Sequence, residues 1–134
     1  MGQKISDGKA FNAAAPSAQV ISDYDLYRIN GWNGCAIGAK DGVQTDRTLA
    51  FEADPPAIYS VKVPAGLNPA VGDALYWTTN DGTTFQRGDT HLVAAASAAN
   101  GQLPCFHVLS TKNAAGYVQG RVMQSPGTAI KFGT

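Results

Sequence analysis

Short stretches in which apolar and polar side chains alternate recur along this chain, and a period of two is typical of half-buried β-strands. In residues 116–123, for example, Tyr117, Gln119 and Arg121 form a polar face and the residues between them form the other. The predicted strands are 26–29, 34–37, 48–52, 57–63, 73–79, 83–86, 91–95, 104–109, 116–123 and 129–132. Their close spacing predicts a single small all-β domain, either a β-barrel or a β-sandwich.

Turn-forming pairs separate the predicted strands, and they are Asn30-Gly31, Asn33-Gly34, Asp41-Gly42, Asp81-Gly82 and Asn100-Gly101. Asp81-Gly82 predicts a hairpin in which 83–85 return antiparallel to 77–79. Gly120 lies inside a predicted strand, where glycine indicates a bulge, a barrel corner or a close backbone approach. Residues 90–100 are rich in alanine and end at Asn-Gly, so we expect at most one short helix, at this position.

Residues 1–22 are small and polar and show no sustained period, which predicts an extended N-terminal arm before an all-β domain at 23–134. Ile5 and Phe11 are the only large apolar residues before Val20, and their spacing is that of isolated anchors. Two interpretations remain open. Either the arm is fixed by a contact outside the domain, or it is a frayed terminus that contacts nothing.

Composition favours a globular protein without net charge. The 134 residues include 44% hydrophobic and 15% charged side chains, and ten basic residues balance ten acidic ones. Because clustered positive charge is absent, we expect no nucleic-acid partner and no membrane partner. A net charge of zero also favours self-association. No apolar stretch follows Lys4 and Lys9, so we expect no signal peptide.

The residues capable of chemistry do not form a recognisable catalytic motif. His91 and His107 are the only histidines, and His107 lies between two apolar residues of a predicted strand, where a structural role is expected. No GxSxG elbow, phosphate-binding loop or twelve-residue calcium loop is present. The tripeptide 87–89, Arg-Gly-Asp, occurs in some adhesive proteins, but glycine and aspartate there also predict an ordinary turn. We expect no catalytic, cofactor or metal site.

The cysteines and tryptophans are informative about packing. Cys35 and Cys105 lie in apolar runs without a CxxC motif, which predicts buried thiols, with a disulfide as the alternative. Trp77 lies on an alternating strand and is predicted to be in the core. Trp32 lies between two turns, so both a core position and an interface position remain open.

Four segments resemble the tailed-bacteriophage capsid decoration proteins, which are also called cement or head-stabilising proteins. The segments are VKVP at 61–64, VGDALYW at 71–77, NDG at 80–82 and FHVL at 106–109. The likeness covers roughly residues 43–122. The chain differs after the predicted hairpin, where LVAA at 92–95 lacks the glycine that the family often has.

The resemblance implies a β-tulip-like fold and a non-enzymatic structural role. Such a protein binds the outer surface of an expanded capsid at junctions between major capsid subunits and stabilises the head. It would be made in the cytoplasm of the bacterial host and act on the virion as a homotrimer, or as a dimer in some members. The major capsid protein would be its partner, with Ile5 and Phe11 anchoring the arm and Trp32 contributing to a subunit or capsid contact.

An alternative function of a different class is a carbohydrate- or receptor-binding β-domain on a virion surface. Such a domain needs exposed aromatic side chains on a ridge or groove. Trp32 and Tyr76 are the candidates for this role.

Overall fold

The computed structural model describes residues 2, 10–54, 56–78, 85–94 and 102–124, and these residues form strands and turns without a helix. The strands are β1 (Ala10–Ala14), β2 (Leu26–Ile29), β3 (Trp32–Ile37), β4 (Thr48–Glu52), β5 (Tyr59–Lys62), β6 (Ala74–Trp77), β7 (Gln86–Arg87), β8 (Leu92–Ala94), β9 (Pro104–Val108) and β10 (Tyr117–Val122).

These strands form two antiparallel sheets of five strands each. The first sheet has the order β1-β4-β3-β2-β7, and the second has the order β5-β10-β9-β6-β8. Within the described residues no strand is paired in both sheets, so the sheets do not close on each other. The all-β prediction and its sandwich form are therefore confirmed, and the barrel alternative is wrong.

The main core lies between the two sheets. Leu26 and Cys35 of the first sheet pack in one cluster with Leu75, Trp77 and Phe106 of the second. Trp77 is fully buried, as its position on an alternating strand predicts. Polar contacts also join the sheets at one margin: the Tyr59 hydroxyl donates to Glu52 Oε1 at 2.7 Å.

The first sheet has a second buried face, and all four residues of β2 are buried. Tyr27 and Phe51 pack there in a separate cluster with Ala15 and Ile21. Residues 15–21, which we call the strap, follow β1 and reach an isolated antiparallel bridge between Ile21 and Lys40. The strap therefore contributes the buried partners that make this sheet two-sided.

Each sheet contains a glycine beneath a phenylalanine ring. A Cβ added to Gly120 would lie 2.5 Å from Phe106 Cε2 and 2.2 Å from the His107 carbonyl oxygen. A Cβ added to Gly34 would lie 2.9 Å from both Phe51 Cε2 and the Glu52 carbonyl oxygen. Of the three alternatives for Gly120, the structure therefore shows a close backbone approach.

The hairpin prediction is wrong about the partner of Trp77, and residues 79–84 of the predicted hairpin lie outside the described residues. Trp77 pairs with Leu92 of β8 on one side, and its N–H donates to the Leu103 carbonyl, in the segment leading to β9, on the other. The Trp77 backbone therefore has a pairing partner on each side. β7, which follows the predicted turn, pairs with β2 of the first sheet. The Asp81-Gly82 turn itself lies outside the described residues.

The helix candidate at 90–100 begins with a strand, since β8 (Leu92–Ala94) pairs with β6. Residues 95–100 and the predicted strand 129–132 lie outside the described residues. β1 is a strand that the sequence pattern did not predict.

Candidate binding surfaces

Trp32 lies on the β2–β3 hairpin, directly after a two-residue turn. Asn30 and Gly31 have φ angles of 51° and 85°, as a type I′ turn requires, and Ile29 pairs with Trp32 across the hairpin. The Trp32 side chain is 54% exposed. By strand alternation it lies on the face of β3 that points away from the second sheet. The core position left open for Trp32 is therefore wrong, and its interface position stays a prediction.

Behind Trp32, the side chain of Asn33 is fully buried and connects three strands. Its Oδ1 accepts hydrogen bonds from Arg28 Nη1 at 2.7 Å and from Trp77 Nε1 at 2.8 Å. Its Nδ2 donates to the Met123 carbonyl at 2.7 Å. Buried polar atoms that are all hydrogen-bonded hold their neighbours in one arrangement. We call Arg28, Asn33 and Trp77 the Asn33 cluster.

The side chain of Gln124 binds the backbone of Asn33 on the side where a neighbouring strand would otherwise pair. The Asn33 N–H donates to Gln124 Oε1 at 3.0 Å, and its carbonyl accepts from Gln124 Nε2 at 2.6 Å. The partner of Cys35 is Glu52, the last residue of β4, so β4 ends before it reaches Asn33. Trp32 therefore projects from a segment that is fixed on both sides.

Sequence patterns did not identify the Asn33 cluster, because Asn33-Gly34 was predicted as a turn. That prediction is wrong, since both residues lie inside β3. The sequence did contain one signal, which is the position of these polar residues relative to neighbouring core residues. Arg28 lies two residues after Leu26, and Asn33 lies two residues before Cys35, so alternation places both on the core face.

The described part of the predicted arm lies against the first sheet. β1 pairs with β4 from Ala10 to Ala14, and the backbone of Phe11 lies opposite Phe51. Arg47 binds the strap through Nη2, which donates to the Pro16 carbonyl at 2.8 Å, and its Nη1 donates to the Asp41 carbonyl at 2.6 Å. Ile5 lies outside the described residues. The structure therefore brings no two of Ile5, Phe11 and Trp32 into a described contact.

In the described residues Thr90 Oγ1 lies 3.2 Å from His91 Nδ1, and neither histidine is paired with a carboxylate. His107 is exposed on β9, and His91 Nδ1 accepts from the Arg87 N–H at 3.0 Å. The Arg-Gly-Asp segment is a turn in which Arg87 Nη2 pairs with Asp89 Oδ2 at 3.0 Å. This side-chain pairing raises the pKa of Arg87. Within the same residues, no group of three His, Cys, Asp or Glu side chains is arranged to hold a metal ion.

Cys35 and Cys105 are free thiols that are fully buried, so the buried-thiol prediction is confirmed and the disulfide alternative is wrong. Burial raises the pKa of both thiols, because it disfavours the charged thiolate. These cysteines are therefore core residues without nucleophilic character.

A shallow cleft of about 260 Å³ lies on the second sheet, between β8 and the loop that follows β5. Its described lining is Pro64, Gly66, Leu67, Leu92, Val93 and Ala94. None of these residues has a polar side chain, so this lining offers apolar contact without acid, base or charge.

No protein-family model, curated protein or solved structure matches this chain. The described residues contain no helix with the length and hydrophobicity needed to cross a membrane.

Proposed function

We propose that this chain is a non-enzymatic capsid decoration protein. It attaches to the outer surface of a phage head at junctions between major capsid subunits and stabilises the expanded head. The observation that carries the proposal is Trp32, which is 54% exposed on a segment fixed by the Asn33 cluster. The resemblance of residues 43–122 to decoration proteins supplies the identity of the partner.

Trp32 has the properties of an anchor residue in a protein interface. Tryptophan is enriched among the residues that contribute most to binding free energy, because it buries a large apolar area and also donates a hydrogen bond. The type I′ turn and the hydrogen bonds of Asn33 to Gln124 hold its backbone before any partner arrives. Such preorganisation reduces the entropy lost on binding.

The finer features implied by the resemblance are part of the same proposal. They are a β-tulip-like arrangement of the sandwich, an N-terminal arm anchored by Ile5 and Phe11, and self-association as a trimer or dimer. Residues 10–14 are an edge strand of the first sheet. A deletion that tests the arm should therefore end at residue 9, because a longer one would remove β1 and disturb the fold.

The alternative, a carbohydrate- or receptor-binding domain, has less support from the geometry. Strand alternation places Trp32 on the outer face of the first sheet and Tyr76 on the outer face of the second, since Leu75 and Trp77 point into the core between them. The two aromatic side chains therefore belong to opposite faces of the sandwich. They do not form one sugar-binding ridge.

The proposal is tested with undecorated heads of the phage whose genome encodes the chain. We expect the wild-type chain to co-sediment with expanded heads and Trp32→Ala to lose about tenfold or more in affinity, which is the loss typical of an interface anchor. Val43→Ala is the matched control, because Val43 is apolar and 86% exposed but lies in a loop. Its affinity should remain within about threefold of wild type.

Folding of both variants is checked by denaturant unfolding, so that lost binding is not mistaken for lost structure. Absence of wild-type binding to expanded heads would reject the decoration function. Equal binding by wild type and Trp32→Ala would reject Trp32 as the anchor. Binding to a glycan array that is abolished by Trp32→Ala would favour the alternative.

A further inference from the structure

The four edge strands of the two sheets differ in how far they are open to another strand. β7 has two residues and β8 has three. β5 has four, but the Lys62 N–H on its outer side donates to Asp25 Oδ1 at 3.2 Å. β1 has five residues, Ala-Phe-Asn-Ala-Ala, with neither charge nor proline. Short length, charge and capping are means by which sheets block their edges. β1 is the longest of the four edge strands and has no charged residue, and the described residues show no cap on its outer side.

The direction of the β1 backbone groups follows from its pairing with β4. The Ala15 N–H donates to the Arg47 carbonyl, so in the same register Ala13 and Phe11 also point their backbone groups toward β4. By alternation, the N–H and C=O groups of Ala10, Asn12 and Ala14 point to the outer side. All three residues are exposed, and β4 is the only described strand that pairs with β1.

These outward groups are spaced so that the strand is complementary to itself. When two copies of β1 run antiparallel with Asn12 opposite Asn12, Ala10 of one copy lies opposite Ala14 of the other. In this register each of the three residues exchanges its N–H and C=O with its partner residue, as hydrogen-bonded pairs in antiparallel sheets do. A single twofold axis through the Asn12 pair generates the whole contact.

The side chains of Ala10 and Ala14 and the charge of the strand are compatible with this pairing. Ala10 and Ala14 are small, and the strand has no charge that would lie opposite the same charge in the second copy. The chain as a whole has a formal net charge of zero, so long-range repulsion between copies is also small.

We propose that β1 is a self-pairing edge: two copies of this chain join β1 to β1 in an antiparallel register centred on Asn12. The first sheets of the two copies then form one continuous sheet across the twofold axis. The occupant of this edge is a second copy of the chain, and the assembly is a dimer. The inference concerns the isolated chain and does not require attachment to a capsid.

The first test is the mass of the purified chain in solution. Sedimentation equilibrium across a concentration series should give a species with twice the 14.0 kDa chain mass. Asn12→Pro should restore the mass of one chain, because it removes an outward N–H while the inward hydrogen bonds to β4 remain. Asn12→Ala is the matched control and should remain dimeric, since it keeps the backbone donor.

The second test reads the register by cysteine cross-linking and does not depend on the folding of the proline variant. Asn12→Cys places the two thiols opposite each other, with Cα atoms about 5.5 Å apart, which is within the range that a disulfide bridges. Ala14→Cys places its two thiols about 13 Å apart along the paired strands. The native cysteines are buried in both variants.

We expect oxidation to convert Asn12→Cys to a covalent dimer at least tenfold faster than Ala14→Cys. A mass of one chain or three chains for the wild type at every concentration would overturn the inference. Equal cross-linking rates for the two cysteine variants would also overturn it. Because no capsid is present in either experiment, failure here leaves the decoration function to be judged by the Trp32 experiment.

Discussion

The two sheets of this sandwich have the same number of strands and the same antiparallel pairing, yet they differ in how their faces are used. In β10 of the second sheet, buried Val118 alternates with exposed Gln119 and Arg121. In β2 of the first sheet, every residue is buried. The second sheet is therefore one-sided, whereas the first is packed on both faces. Alternation of apolar and polar residues in the sequence describes a one-sided sheet and not a sheet that is packed on both faces.

Each sheet has a strand glycine that is covered by a phenylalanine ring, and the two glycines differ in how closely other atoms approach them. Gly120 lies beneath Phe106 in the second sheet, and Gly34 lies beneath Phe51 in the first. Placing an aromatic ring over a strand glycine covers backbone that would otherwise be unpacked. The approach is closer at Gly120, where an added Cβ would meet a carbonyl oxygen at 2.2 Å, than at Gly34, where the nearest atoms are at 2.9 Å.

The largest expected effect is therefore that of Gly120→Ala. The new methyl group would overlap the His107 carbonyl, and backbone cannot move aside as a flexible side chain does. We expect a loss of about 3 kcal/mol in the free energy of unfolding, against about 1.5 kcal/mol for Gly34→Ala. Urea denaturation of the two variants measures both values.

Gly66→Ala is the control for this pair, because no atom lies within 4 Å of the Cβ position in its loop. Its unfolding free energy should change by about 0.5 kcal/mol or less. A cost for Gly34→Ala equal to or larger than that for Gly120→Ala would show that the two rings do not differ in the way the distances indicate.

The fold was predictable where local pattern and tertiary contact agree. The bounds predicted for 26–29 and 48–52 coincide with β2 and β4. β1 was missed because Ala10–Ala14 has three alanines and no alternation, and it is a strand because β4 offers it an edge. The partner predicted for Trp77 was wrong for a related reason. A turn signal indicates a reversal of the chain, but the pairing partners of Trp77 are chosen by the whole sheet.

The candidate site was predictable only in part. Trp32 was named from the sequence, but its exposure depends on which face of β3 it occupies. The turns predicted on either side of it do not determine that, and one of them, Asn33-Gly34, is part of β3. The Asn33 cluster was not predicted, because it joins residues 28, 33 and 77. The Asn33 side-chain amide also donates to the carbonyl of residue 123. Contacts between distant positions of the chain leave no periodic trace in a single sequence.

The next expected effect compares two amides on strands of different sheets. Asn33→Ala removes the acceptor of Arg28 and Trp77 and leaves buried donors without it. We expect a loss of about 2 kcal/mol in the free energy of unfolding. Gln119→Ala, on the exposed face of β10, should change it by about 0.5 kcal/mol or less. Similar costs for the two variants, measured by urea denaturation, would mean that the Asn33 cluster adds nothing to the joining of the sheets.

The smallest effect concerns Asp25, which precedes β2 of the first sheet and accepts the Lys62 N–H of β5 in the second at 3.2 Å. Burial raises the pKa of this carboxyl above its ordinary value of 3.8, although the Lys62 N–H opposes the rise. Asp89 adds to the rise, and the charges of Lys62 and Arg87 oppose it. The folded state therefore holds this proton more tightly than the unfolded state does.

The sign of the pH dependence follows from that difference. Stability contributed by protonated Asp25 is fully present below the unfolded pKa and is lost as the pH rises through the folded pKa. An asparagine side chain at this position would still accept the Lys62 N–H but does not titrate. We therefore expect Asp25→Asn to gain stability relative to wild type as the pH rises from about 4 to 7, as measured by urea unfolding at each pH.

Asp46→Asn should show the opposite slope and is the control. Asp46 is exposed, and the hydrogen bond from the Thr48 N–H lowers the pKa of its carboxyl. Its contribution to stability is present above the unfolded pKa and is lost as the pH falls through the folded one. Parallel pH profiles for the two variants would show that burial between the sheets does not govern Asp25. Opposite slopes would show that burial, and not the hydrogen bond from the Lys62 N–H, governs the pKa of the Asp25 carboxyl.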